Sequence, residues 1–140
     1  MNKKTIKQQP MSESEFLRHV LQAFKGDDNI FLFRRNVGMI KNEKGRPVRF
    51  GGVGHSDVWG WIASHWCPVC NRLYEGKHFE IELKSAKGKL TPEQEQWIGF
   101  VNANNGVAIV LRPIESDPVG LRQRICRLFE RALCPRCFGQ

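Results

Sequence analysis

The chain lacks the features that membrane-bound and secreted proteins carry. No apolar run approaches the roughly 20 residues that a membrane-spanning helix needs. Residues 1–4 lead into polar residues rather than into the apolar core of a signal peptide. We therefore expect no membrane partner and a cytoplasmic location.

Acidic residues are also scarce, with 14 Asp and Glu against 22 Lys and Arg. The formal net charge of +8 favours a polyanionic partner, and nucleic acid fits better than an anionic membrane surface. Four Trp and nine Phe argue against a disordered basic tail. Internal repeats and low-complexity segments are absent, so we treat residues 1–140 as a single domain in which residues 1–11 are mobile.

Hydrophobic periodicity predicts an α/β fold in the order helix, three strands, helix, strand, followed by a C-terminal helix. The predicted helices begin at about residues 13, 92 and 118, and the predicted strands cover residues 30–34, 58–63, 79–84 and 107–111. The first of these strands is apolar from Ile30 to Phe33 and is expected to be buried. Residues 37–54 are basic and rich in glycine, which predicts a hairpin or a mobile loop.

The most informative motif is Glu82-Leu83-Lys84 at the end of a strand. Side chains two residues apart in a strand lie on the same face, so Glu82 and Lys84 share one spot while Leu83 points into the core. If Asp57 lies on the neighbouring strand, two carboxylates and one amine converge. Such a set suits a hard divalent cation beside a phosphate, although an E-x-K triplet alone is also common on solvent-exposed strands.

The order of Asp57, Glu82 and Lys84 resembles the PD-(D/E)xK nuclease superfamily. Five segments resemble its VRR-NUC branch in order: residues 35–38 (RNVG), 45–51 (GRPVRFG), 54–57 (GHSD), 81–84 (IELK) and 88–94 (GKLTPEQ). The resemblance covers roughly residues 13–112 and is most like the phage-type stand-alone members. The resemblance implies a restriction-endonuclease-like core. It also implies that the protein is located in the cytoplasm of a bacterial or phage-infected cell.

The resemblance also implies a site for Mg²⁺ or Mn²⁺. Asp57, Glu82 and the backbone carbonyl of Leu83 would bind the cation, while Lys84 would orient the attacking water. Gln94 matches a glutamine near the phosphate or water, and this functional role is the preferred interpretation, with a capping box with Thr91 as the structural alternative.

An acidic residue on the family's first helix can extend the metal site. Glu15 matches it, with Glu13 as the alternative and stabilisation of the helix dipole as the structural explanation.

His55, beside Asp57, invites a ligand or general-base role, but contact with backbone or DNA is the preferred interpretation.

Basic residues before Asp57 and after Lys84 are interpreted as a DNA-contacting surface rather than as solvated charges. The predicted phosphate contacts are Arg34, Arg35, Arg46, Arg49, Lys87 and Lys89.

Two C-P-x-C knuckles form a second signal, at Cys67–Cys70 and Cys134–Cys137. Together they supply four thiolates for a tetrahedral structural Zn²⁺, with knuckle regions over residues 64–78 and 134–140. A disulfide pairing is the competing interpretation, but a reducing compartment and the odd Cys126 disfavour it. His65 and His78 are alternative ligands.

Two function classes follow. The first is a metal-dependent DNA endonuclease selective for branched, flapped or junction DNA, and the second is a zinc-stabilised DNA-binding protein with the nuclease fold but no turnover. Because one site cuts one strand, paired cuts at a junction would require a homodimer.

Overall fold

The computed structural model describes residues 11–36, 38–50, 52–113, 118–129 and 132–134. Its helices are α1 (Glu13–Ala23), α2 (Pro92–Ala103) and α3 (Pro118–Leu128). Its strands are β1 (Ile30–Arg34), β2 (Gly38–Lys41), β3 (Pro47–Phe50), β4 (Val58–Ile62), β5 (His65–Cys67), β6 (Arg72–Tyr74), β7 (Lys77–Leu83) and β8 (Val107–Leu111).

The main sheet has four strands in the order β1-β4-β7-β8. β1, β4 and β7 pair antiparallel, and β8 runs parallel to β7 after the crossover through α2. The predicted α/β class is confirmed at this level: helix, three sheet strands, helix, strand and helix follow one another as the periodicity indicated, with two short ribbons inserted.

Alternation along β7 decides which helices cover which face of this sheet. Phe79, Ile81 and Leu83 are buried in the apolar core, and the Phe79 ring lies 4.8 Å from that of Phe129, which follows α3. α1 and α3 therefore cover this face. Glu80 and Glu82 point to the opposite face, where side chains of α2 contact them.

Asp27 joins the end of α1 to the rest of this helical layer. Its Oδ1 accepts the backbone N–H groups of Asn29 and Ile30, and its Oδ2 accepts from Arg122 Nη2 at 2.7 Å. The start of β1 is thereby anchored to α3.

The two inserted ribbons account for the segments without strong periodicity. β2 and β3 form an antiparallel hairpin, which selects the hairpin over the mobile loop for this segment. Its turn is held by Asn42, whose Oδ1 accepts the N–H groups of Lys44 and Arg46. β5 and β6 form the second ribbon, which periodicity did not predict because each strand has only three residues.

The predicted burial of β1 is wrong. β1 is an edge strand of the main sheet, and only Ile30 is fully buried, while Phe31 and Phe33 are exposed. No described element covers the side chains that point away from α1.

Within the described ranges, the helices fall short of the length and apolar character that crossing a bilayer requires.

Candidate active site and cysteine cluster

Glu82 lies in the interior on the α2 face, with 2% of its surface exposed. One oxygen, Oε1, accepts from Gln94 Nε2 at 2.7 Å and lies 3.5 Å from Lys84 Nζ. The other oxygen, Oε2, is buried and has no hydrogen-bond partner among the described residues. A buried carboxylate oxygen without a partner costs free energy, which a bound water, a cation or another ligand could offset.

Asp57 is the second acid of the site and directly precedes β4. Its Oδ2 accepts the backbone N–H of Leu83 at 2.9 Å. Because the N–H and C=O of one strand residue point to the same side, the Leu83 carbonyl also lies toward Asp57. The structure thus brings together Asp57, Glu82, Leu83 and Lys84, as the sequence predicted.

The charge of Asp57 raises the cost of ionising Glu82. Burial, and then the charge of Asp57, raise the pKa of Glu82 to about 7, and the Lys84 ammonium only partly offsets this. Burial is also the main cause that raises the pKa of Asp57, against the lowering effect of the Leu83 N–H. The site is short of positive charge, which a cation would supply.

Gln94 combines the two roles that the sequence left as alternatives. Its Oε1 accepts the Thr91 N–H at 2.9 Å, and Thr91 Oγ1 accepts the Gln94 N–H at 3.2 Å, which completes a capping box at the start of α2. Its Nε2 donates to Glu82. The cap therefore fixes the amide that faces the carboxylate.

Of the two acids on α1, Glu13 is the one whose charge raises the pKa of both Asp57 and Glu82. Glu15 was preferred from the sequence, but it is exposed at the third helical position, where its backbone N–H donates to Ser12 Oγ. Glu13 is exposed as well. The choice between Glu15 and Glu13 therefore stays a prediction, in which the electrostatic effect on both carboxyl groups favours Glu13.

Sequence reasoning missed Glu80, which is 1% exposed and lies two residues before Glu82 on the same face. Its Oε1 lies 2.8 Å from Arg35 Nη2 and 3.0 Å from His78 Nε2, and its Oε2 accepts from Trp97 Nε1. Despite desolvation, these donors lower the pKa of Glu80. The alternation of Glu80, Glu82 and Lys84 was the available signal.

Arg35, one of the predicted phosphate contacts, donates from its guanidinium to the buried Glu80. The other predicted phosphate contacts lie elsewhere: Arg34 at the exposed end of β1, Arg46 in the exposed β2–β3 turn, and Lys87 and Lys89 in the exposed loop before α2. The Arg49 side chain lies outside the described part of the chain.

His55 packs on α2 rather than reaching toward Glu82. Its ring stacks on Trp97 with centroids 3.9 Å apart, and Gly52 leaves space that a Cβ would fill. Burial, and then the charge of Arg35, lower the pKa of His55. A packing role therefore describes this residue better than a metal ligand.

A separate cluster brings together three of the predicted zinc ligands. The thiols of Cys67, Cys70 and Cys134 all lie within 4.8 Å of one another. None of the three is in a disulfide, and the Cys70 N–H donates to Cys67 Sγ at 3.4 Å. Thiolates around a tetrahedral zinc at about 2.3 Å lie about 3.8 Å apart, so the cluster could hold a metal ion such as zinc.

The β5–β6 ribbon and the segment after α3 position this cluster. Asn71 adopts a positive φ of 53° directly after Cys70, which turns the chain into β6. Cys134 follows α3, so the cluster joins this late segment to the insertion between β4 and β7. Cys137, the fourth predicted ligand, lies outside the described residues.

In comparisons with known proteins, no family model matches this chain, and no curated protein matches it either.

Proposed function

We propose that this chain is a divalent-metal-dependent DNA endonuclease that resembles the VRR-NUC branch of the PD-(D/E)xK superfamily. The observation that carries the proposal is the buried, unpartnered Oε2 of Glu82 beside Asp57 and Lys84. A structural role would satisfy this oxygen or leave it in water. A cation-binding role requires it to stay open.

The arrangement of the main sheet supports the same proposal. Asp57 directly precedes β4 and Glu82 lies on the adjacent antiparallel strand β7, while the crossover helix α2 adds Gln94 on the face of Glu82. We interpret the series α1, β1, β4, β7, α2 and β8 as a restriction-endonuclease-like core.

In this proposal Asp57 Oδ1, Glu82 Oε2 and the Leu83 carbonyl would hold Mg²⁺ or Mn²⁺. The cation would supply polarisation of the scissile phosphate and a lowered pKa for a bound water. Lys84 holds the attacking water and offsets charge that develops on the phosphoryl oxygens. Gln94 fixes the orientation of Glu82. Glu13 adds a third negative charge that favours binding of the cation.

We further propose that the thiol cluster binds a structural Zn²⁺, with Cys137 as the fourth ligand. Zinc at this position would fasten the segment after α3 to the β5–β6 ribbon, far from the carboxylates in sequence. DNA is the proposed partner, and the exposed residues Arg34, Arg46, Lys87 and Lys89 are the proposed phosphate contacts, to which Arg49 is added from the sequence.

The decisive experiment measures cleavage of labelled linear, nicked, flapped and four-way-junction DNA with Mg²⁺ or Mn²⁺. Wild type is compared with Lys84→Ala, and Lys25→Ala, an exposed lysine beyond α1, serves as the charge-matched control. We expect metal-dependent cleavage that Lys84→Ala abolishes and Lys25→Ala retains. Lys84→Ala should still bind DNA, because its role lies in the chemical step.

Two outcomes would contradict the proposal. Unchanged cleavage by Lys84→Ala would refute the site, and binding without cleavage by wild type, across all substrates and both metals, would favour the zinc-stabilised DNA-binding protein. Preference among the substrates would identify the DNA structure on which the enzyme acts. Sedimentation of the protein with junction DNA would test whether a homodimer makes the paired cuts.

A further inference from the structure

An uncovered row of aromatic rings crosses the same sheet face that carries Glu82. The register pairs Phe31 with Trp61 and Phe33 with Trp59 across β1 and β4, and Trp61 with His78 across β4 and β7. Residues paired in this way share a face. α2 covers the β7–β8 half of this face, whereas no element within the described ranges covers the half formed by β1 and β4.

At the border between these halves lies a cleft of about 300 Å³. Trp61 and His78 line its sheet side, and Trp97 and Phe100 line its helix side. Trp61 is 50% exposed and Phe100 is 56% exposed, so large ring faces are open to solvent. Monomeric soluble proteins rarely expose contiguous aromatic surface without a binding role.

The cleft lies at a defined distance from the proposed catalytic residues. His78 and Glu82 are four residues apart on β7, which corresponds to about 13 Å at roughly 3.3 Å per residue. About four stacked nucleotides cover this span at about 3.4 Å each. A strand whose phosphate lies at Glu82 is therefore long enough for its next few bases to reach the cleft.

Charge favours a nucleic-acid strand over a second copy of the chain. Lys77 lines the cleft, where its Nζ donates to Asn105 Oδ1, and Lys84 stands at the other end of the span. Two copies of a chain with a net charge of +8 repel each other, whereas a single strand brings both aromatic bases and phosphates.

We propose that this cleft stacks unpaired bases of a single-stranded DNA branch and so holds the branch next to the cleaved phosphate. Trp61 and Phe100 provide the ring faces, and Lys77 contacts the backbone of the strand. Stacking on aromatic side chains tolerates any base, because every base has a π face. The inference rests on the proposed nuclease function for its orientation, but its binding test does not require cleavage.

The test measures anisotropy of a labelled thymidine single strand without Mg²⁺ or Mn²⁺. Two further probes are the same strand with abasic sites throughout, which keeps the charge, and a blunt duplex. The variants are Trp61→Ala and Phe100→Ala, with Trp66→Ala as control, because Trp66 is 56% exposed but lies on the β5–β6 ribbon. Circular dichroism verifies that each variant is folded.

We expect Trp61→Ala and Phe100→Ala to weaken binding of the thymidine strand by about 5- to 150-fold each. Binding of the abasic strand should not change, and neither should any binding by Trp66→Ala. Equal losses on the thymidine and abasic strands, or no loss at all, would overturn the proposal. A wild-type dimer that Trp61→Ala converts to a monomer would overturn it in favour of a contact between copies.

The two proposals fail separately. If the protein binds the strand through Trp61 but never cleaves DNA, the base-stacking cleft is supported and the nuclease function is refuted. If cleavage of flapped DNA requires Lys84 but is unchanged in Trp61→Ala and Phe100→Ala, the nuclease function is supported and the base-stacking cleft is refuted.

Discussion

Replacing Glu82 with Gln should make the metal-free protein more stable at neutral pH while it abolishes cleavage. The pKa of Glu82 rises in the fold from an ordinary value of about 4.5 to about 7. This difference corresponds to about 3 kcal/mol, because one pKa unit is worth about 1.4 kcal/mol. The neutral amide keeps the shape of the carboxyl group and removes this cost.

The direction of the pH dependence follows from whether the folded or the unfolded protein binds the Glu82 proton more tightly. Because the pKa of Glu82 is raised in the fold, the folded protein binds this proton more tightly. The stability from this proton is therefore fully present below about pH 4.5 and is lost as the pH rises through about 7. The advantage of Glu82→Gln over wild type should grow from near zero at pH 4.5 to about 3 kcal/mol at pH 8.

Urea unfolding followed by tryptophan fluorescence measures this difference. The buffer should be free of Mg²⁺ but contain no chelator, so that any zinc stays bound. Adding Mg²⁺ should then stabilise wild type and leave Glu82→Gln unchanged, because binding to the folded state alone raises its stability.

Glu80→Gln is the matched control, since Glu80 has equal burial on the same strand and face but a lowered pKa. The Glu80 carboxylate stabilises the folded protein at pH values above its pKa in the unfolded chain. This stabilisation is lost as the pH falls through the pKa of Glu80 in the folded protein. Glu80→Gln should therefore destabilise the protein at neutral pH. A pH-independent difference between Glu82→Gln and wild type would refute the reasoning.

Further predictions concern the thiols and the arginines. Purified protein should contain one zinc per chain by mass spectrometry. Cys67→Ser or Cys134→Ser should reduce this zinc content and lower the unfolding temperature. The control Cys126→Ala should keep the metal. Arg35→Ala should cost about 3–5 kcal/mol in urea unfolding, because it leaves the buried Glu80 charge without its main cation. Arg34→Ala should leave stability unchanged and reduce the salt slope of DNA binding by about 0.9, so equal stability losses for the two variants would contradict their assignments.

Sequence predicted those features that local geometry determines. Alternation along β7 fixed the shared face of Glu82 and Lys84, and the Thr91 cap with Pro92 fixed the start of α2. The C-P-x-C spacing likewise anticipated the thiol cluster for Cys67 and Cys70, because two residues between thiols already allow one ion to contact both.

Features that depend on tertiary contacts were not predictable in the same way. The apolar run of β1 gives no sign that half of its side chains lack a covering helix. The same limit applies to Arg35. In the sequence it cannot be distinguished from the adjacent Arg34, but in the fold its guanidinium donates to the buried Glu80. Whether Glu13 or Glu15 faces the sheet depends on the rotation of α1, which one helix turn of sequence does not determine.

The double engagement of Gln94 also limits how Glu82 can coordinate an ion. A 180° rotation of the Gln94 amide would lose both the bond from Thr91 and the bond to Glu82, so this arrangement keeps Nε2 on Glu82 Oε1. Oε2 is then the open oxygen of Glu82, which favours monodentate binding of a cation. This denticity suits a small octahedral ion such as Mg²⁺ and disfavours Ca²⁺, which readily takes both oxygens of one carboxylate.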